Sequence, residues 1–166
     1  MPSIIALIGR PNVGKSTIFN LLTNTNSAIV ADYPGLTRDR KYGTLKDSSV
    51  VLVDTGGIGT DENLSESVLF QTELAIDEAD IFLLILDAKE GLMPLDEEIA
   101  RKLRKVNKKI IAVVNKIDVV SKSHHQLEFN ELGFEEVLMI SAAHNRGISS
   151  LIDYLQEFYL EEDKKT

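Results

Sequence analysis

The chain has 166 residues, 43% of them hydrophobic and 27% charged, with a formal net charge of −8 and no cysteine. That length suits one domain able to bury about 70% of its unfolded surface. The composition excludes disulfides, thiolate metal sites and cysteine nucleophiles, and the acidic balance argues against broad attachment to nucleic acid or anionic lipid.

In chain order, Ile4–Ile8 is a short apolar run expected to be a buried strand. It is too short and lacks the basic leader of a signal peptide, and no run approaches the roughly 18 residues of a membrane span. A cytoplasmic protein without membrane attachment is expected. Ile18, Phe19, Leu21 and Leu22 open a helix, and Asn24–Asp39 reads as irregular. Arg40–Leu45 is expected as an edge strand, hairpinned through Lys46–Ser49 to a strand at Val50–Val53. A second irregular stretch, Thr55 to Ser65, leads into a helix over Leu64–Ala79. Ile81–Leu86 and Ile110–Val114 read as strands around a helix at Leu95–Val106, where Ile99, Leu103 and Val106 share a face. A helix at Ser123–Leu132, a strand at Val137–Ile140 and a helix at Ile148–Tyr159 complete the set. Apolar runs alternating with amphipathic stretches predict an α/β fold of three layers. It has a mostly parallel six-stranded sheet, one antiparallel edge strand and helices on both faces. Residues 1–160 form the domain, and 161–166 a tail or the start of a linker.

The sharpest motif is Gly9-Arg10-Pro11-Asn12-Val13-Gly14-Lys15-Ser16, a G-x-x-x-x-G-K-[ST] phosphate loop between a strand and a helix. Its glycines let backbone N–H groups close on phosphate oxygens at a helix N-terminus. Asn12, Val13, Gly14, Lys15, Ser16 and Thr17 are the candidate phosphate contacts. Lys15 supplies a cation for the β- and γ-phosphates, and the Ser16 hydroxyl a ligand for Mg²⁺.

Asn115-Lys116-Ile117-Asp118 follows a strand at the edge where open α/β sheets bind ligands. The Asp118 carboxylate can accept both the ring N–H and the exocyclic amine of guanine. Adenine offers no such pair, which disfavours an ATP-dependent kinase. Taken alone, the tetrapeptide is also compatible with a polar strand end in which Asp118 caps the next helix. Ser141, Ala142 and Ala143 can close over the base edge. Asp54-Thr55-Gly56-Gly57 places a carboxylate near Mg²⁺ and the Gly57 N–H near the γ-phosphate, although alone it reads as a tight turn. His124, His125 and His144 have no acidic or thiol residues at metal-ligand spacing and read as solvated surface histidines.

Together these segments resemble the G1, G3, G4 and G5 motifs of the small-GTPase superfamily. Asn12 within the phosphate loop is similar to the TrmE-Era-EngA branch. The run from Ala28 to Arg40, Asp54–Ile58 and Gly91–Ile99 resemble the first GTPase domain of the Der (EngA) family, over essentially Ser3–Tyr159. Tyr33 departs from the Thr common in that family. The resemblance implies a GTP-binding, slowly hydrolysing switch in 50S ribosomal subunit assembly, with contact to the subunit or its rRNA made largely by other parts of a longer protein. It also assigns Thr37 as a Mg²⁺ ligand and γ-phosphate sensor, where spacing alone leaves Thr23, Thr25, Thr37 and Thr44 open. Mg²⁺ would then be held by Ser16, Thr37 and Asp54, with Lys15, Thr37, Gly57 and Asn12 as the catalytic set.

Many relatives orient the attacking water with a glutamine where this chain has Ile58, which cannot hydrogen-bond. Arg38 and Arg40 are candidates for a charge supplied in cis, or simply solvated cations. The resemblance implies K⁺ held by the Asn12 side chain, and tolerance of positive φ explains Asn12 equally well. A regulatory module with negligible turnover is the competing function, as is a related Era- or MnmE-type GTPase.

Overall fold

The computed structural model describes residues 3–23, 41–55, 64–116 and 128–165, and side chains at all of these except 64 and 158–165. Its strands are β1 (Ile4–Ile8), β2 (Lys41–Thr44), β3 (Val51–Asp54), β4 (Ile81–Asp87), β5 (Lys109–Asn115) and β6 (Val137–Met139). The helices are α1 (Lys15–Leu22), α2 (Leu64–Glu78), α3 (Pro94–Arg104) and α4 (Ile148–Lys165), with a 3-10 turn at Ala142–His144. The strands form one six-stranded sheet in the order β2-β3-β1-β4-β5-β6. Every pairing is parallel except β2 with β3. The expected architecture is therefore present, edge strand included.

Alternation along the strands divides the core in two, because successive side chains point to opposite faces. Ile5, Leu7, Leu52, Leu83, Ile85 and Val113 pack on one face with Ile18, Phe19 and Leu22 of α1 and Ile148, Leu151 and Leu155 of α4. Ala6, Ile8, Val53, Phe82, Leu84, Leu86 and Val114 point the other way, onto Ala75 of α2 and Ile99, Ala100 and Leu103 of α3. A parallel sheet covered on both faces explains why these strands read as unbroken apolar runs.

The β2–β3 hairpin turns as expected through Lys46–Ser49. Leu45 N–H donates to Val50 O at 2.8 Å, and Asp47 adopts φ 56°. Helix α3 opens with Pro94 at its first turn, and Asp96 reaches back to accept the Met93 N–H at 2.9 Å. Two elements differ from expectation. Within the expected Ser123–Leu132 helix, the described part is helical at 128–130 and ends before Gly133 at φ 73°. Helix α4 runs past Tyr159 to Lys165, with no Gly or Pro in 148–165 to interrupt it. The segments Asn24–Asp39 and Gly56 to Asn63 lie outside the described residues.

Candidate functional site

The carboxyl ends of β1, β3, β4 and β5 lie side by side, and the strand order reverses about β1, the position where open α/β sheets bind ligands. The chain leaves β1 through Gly9, where a Cβ would stand 2.6 Å from Ile85 O of β4, so a side chain here would displace the loop. Gly14 is required twice over. It adopts φ 103°, and a Cβ would lie 2.3 Å from the Asn115 side-chain nitrogen. Helix α1 begins at the next residue with no side-chain cap, leaving its first N–H groups for a ligand.

Asn115 is the keystone of this edge. Its Nδ2 donates to Val13 O at 2.9 Å, and its Oδ1 accepts the Ala142 N–H at 2.9 Å. One buried amide thus fixes the phosphate loop against the Ser141–Ala143 turn. Lys116, at φ 67°, donates from Nζ to Asn12 O and to Asp87 Oδ2, each at 2.8 Å. Asn12 itself is exposed at φ 68°, and Thr17 is exposed on α1. Ser141 is fully buried, whereas Ala143 is exposed.

Lys15 is 7% exposed, and its Nζ donates to Gly9 O at 2.7 Å and Arg10 O at 3.0 Å. Burial lowers its pKa to about 8, opposed by the charge of Asp54 and reinforced by that of Arg10. Ser16 Oγ donates to Asp54 Oδ2 at 3.1 Å, joining the phosphate loop to the end of β3. A hydroxyl and a buried carboxylate in contact are hard oxygen donors of the kind Mg²⁺ takes, and they fit the expected ion. Thr55 donates its hydroxyl to Leu7 O at 2.7 Å, holding the start of the Asp54–Gly57 motif to β1.

Thr37, Gly57 and Asp118 lie outside the described residues, as do Ile58, Arg38 and Arg40. Two of the four threonine candidates have structural tasks. Thr23 closes α1 by donating to Phe19 O at 2.7 Å, and Thr44 pairs with Val51 in the hairpin.

Three acidic residues at the site escaped sequence reasoning. Asp87, fully buried at the end of β4, accepts from Lys116 and from the Lys89 N–H at 2.8 Å. Arg10 donates from Nε to Asp96 Oδ1 at 2.8 Å and from Nη1 to Glu90 Oε2 at 2.7 Å. Burial would depress the guanidinium, but Asp96 and Glu90 together raise it. Burial raises Asp96, opposed by Arg10 and the Met93 N–H. A signal for Asp87 was available: like Asp54 and Asn115, it is the polar residue that ends a buried apolar run.

A family model described as 50S ribosome-binding GTPase matches residues 4–116, which hold the phosphate loop, Asp54 and Asn115-Lys116. The chain belongs to that family. It is a GTPase domain by this membership. GTPase Der of Alteromonas mediterranea is 51% identical over 155 residues, covering 92% of this chain and 32% of the relative. The resemblance to a Der GTPase domain is borne out, and the chain spans about a third of the length of the curated relatives it matches. A crystal structure of Aquifex aeolicus Era bound to GDP and AlF4⁻ is similar at TM-score 0.71 and 30% identity, covering 95% of this chain and 57% of that one. Era in complex with MgGDPNP and a segment of 16S ribosomal RNA is similar at TM-score 0.67 and 28% identity, covering 93% and 56%. No helix among the described residues is long and apolar enough to cross a membrane.

Proposed function

We propose that this domain is a Mg²⁺-dependent GTP-hydrolysing switch acting in 50S ribosomal subunit assembly in the cytoplasm, as part of a longer Der-type protein. The observation that carries the nucleotide reading is the Asn115 amide, which binds the phosphate loop to the base-side turn across the carboxyl edge. The likeness to Der and to an Era–rRNA complex supports the ribosomal assignment.

The loop N–H groups from Val13 to Thr17 and the Lys15 ammonium hold the β- and γ-phosphates. Ser16, Asp54 and Thr37 hold Mg²⁺, which when bound neutralises phosphate charge. Asp118 accepts the two guanine donors, and the Ser141–Ala143 turn closes over the base. Thr37 and the Gly57 N–H respond to the γ-phosphate, giving the two conformations of a switch. The Asn12 side chain would offer a carbonyl oxygen to K⁺, which would supply positive charge against the phosphates, while Ile58 cannot hydrogen-bond to the attacking water.

Nucleotide-resolved single-turnover hydrolysis in K⁺ and in Na⁺ tests this reading, together with nucleotide-dependent association of the longer protein with 50S subunits. Preference for GTP over ATP, turnover in K⁺ and association with the subunit are expected. Equal affinity for ATP and GTP would overturn the guanine assignment. GTP binding with no turnover in either salt would favour the regulatory module that Ile58 suggests.

A further inference from the structure

One ten-residue segment, from the end of β4 to the first turn of α3, holds two cations of the candidate site. Asp87 pairs with Lys116, while Glu90 and Asp96 pair with Arg10. Among these acids Asp87 is placed to act furthest. It is fully buried, and the register of β4 with β5 sets it directly beside Asn115. Its two oxygens have different tasks. Oδ1 accepts the Lys89 and Glu90 N–H groups at 2.8 and 3.3 Å, which shapes the turn after β4. Oδ2 accepts the Lys116 ammonium at 2.8 Å. That ammonium also donates to Asn12 O, so the carboxylate, the ammonium and the Asn12 peptide form one continuous chain of contacts. Asn12 and Lys116 both hold left-handed φ, 68° and 67°, a conformation that non-glycine residues adopt at a cost and that neighbouring contacts must maintain.

We propose that Asp87 is a positioning residue of the guanine-nucleotide site, acting through Lys116 to fix the Asn12 peptide of the phosphate loop. It touches no substrate. Its carboxylate aims the Lys116 ammonium, the ammonium holds the Asn12 carbonyl, and the following N–H groups are thereby presented in a fixed arc. The proposal rests on the nucleotide reading given above.

The test is a double-mutant cycle on equilibrium affinity for fluorescent GDP, using D87N, K116M and the pair together. Asn at 87 keeps an oxygen for the Lys89 and Glu90 N–H groups but turns an amide donor toward Lys116. D87N should weaken GDP binding about tenfold or more, the scale of one charge-assisted hydrogen bond. In the K116M background the same change should be neutral or restore affinity, because it removes a buried carboxylate that has lost its cation. Hydrogen exchange at Asn12 and Val13 with GDP bound should quicken in D87N. Should D87N fail to fold, D87E, which moves the charge without removing it, carries the same cycle and should again lose affinity only where Lys116 is present. Equal losses in both backgrounds, or no loss in either, would overturn the proposal and leave Asp87 as a turn residue. Failure of the unmodified chain to bind GDP would instead sink the nucleotide reading itself.

Discussion

The side-chain nitrogen of Asn115 lies 2.9 Å from the carbonyl oxygen of Val13, a residue 102 positions earlier. That contact has a steric counterpart, since a methyl group on Gly14 would occupy the space the amide fills. Replacing Asn115 by Ala strands two buried groups, Val13 C=O and Ala142 N–H, at about 1–3 kcal/mol each. Thermal unfolding should move down by several degrees, and GDP affinity should fall with it. Asn115→Asp should behave almost as badly, because a carboxylate faces the Val13 carbonyl where a donor is needed. Unchanged melting in Asn115→Ala would remove the amide from its structural role.

Affinity for GDP should depend on pH through Lys15. Burial lowers its pKa to about 8, while phosphate anions favour the charged form and raise it in the complex. Binding should therefore be strongest below pH 8, weaken as pH rises through 8, and level off above the pKa of the complex. In the nucleotide-free protein the sign is opposite for stability. The unfolded chain keeps its Lys15 proton up to about 10.5, so this group favours folding as pH rises from about 8 to 10.5. Isothermal titration of GDP in buffers of different ionisation enthalpy should show proton uptake near pH 8. Lys15→Ala should abolish that uptake and weaken binding.

Magnesium dependence should report on the contact between Ser16 and Asp54. Ser16→Ala removes the hydroxyl that would ligate the ion, and Asp54→Asn removes a charge from the same place. Both should reduce the gain in GDP affinity that Mg²⁺ provides, while binding in EDTA changes little. A Ser16→Ala variant with full magnesium dependence would show that the hydroxyl is not a ligand.

Turnover separates the two explanations of Asn12. The residue is exposed and sits at φ 68°, a conformation glycine adopts freely. Asn12→Gly therefore keeps the backbone and deletes the side-chain carbonyl. If that carbonyl holds K⁺ against the developing charge, single-turnover hydrolysis in K⁺ should fall about 10²–10³-fold. It should then match the rate in Na⁺. Rates in K⁺ that survive Asn12→Gly would make the side chain a matter of loop geometry, and Ile58→Ala should alter rates only modestly in either case.

The fold was legible because apolar runs such as Ile81–Leu86 alternate with amphipathic stretches, the pattern of a parallel sheet covered on both faces, and Gly9–Ser16 punctuates the first of them with a motif of fixed context. Asp54, Asn115 and Lys15 are singled out by motifs that stand just past strands, whereas the contacts of Asn115 with Val13 and Ala142 are visible only in the structure. Asp87 did not stand out, because its importance comes from a partner 29 positions away and from depth in the fold. The same holds for Arg10 and Asp96, separated by 86 residues. Gly91–Ile99 resembles the family as a pattern, and the structure gives Asp96 within it a task, accepting from Arg10 of the phosphate loop. Thr37, Gly57 and Asp118 rest on motif and resemblance.

Three of the tethers that shape the site join separate stretches of chain: Thr55 to Leu7 across 48 positions, Lys116 to Asn12 across 104, and Ala142 to Asn115 across 27. A ribosome delivers these partners in order, so the phosphate loop emerges long before anything that braces it. The amide of Asn115 gains its second partner only after residue 142 has left the exit tunnel and β6 has joined the sheet. Tight grip on a nucleotide should therefore come only once residue 142 is free to fold, and a nascent chain stopped short of that point should carry the whole G-x-x-x-x-G-K-[ST] sequence without the Ala142 brace.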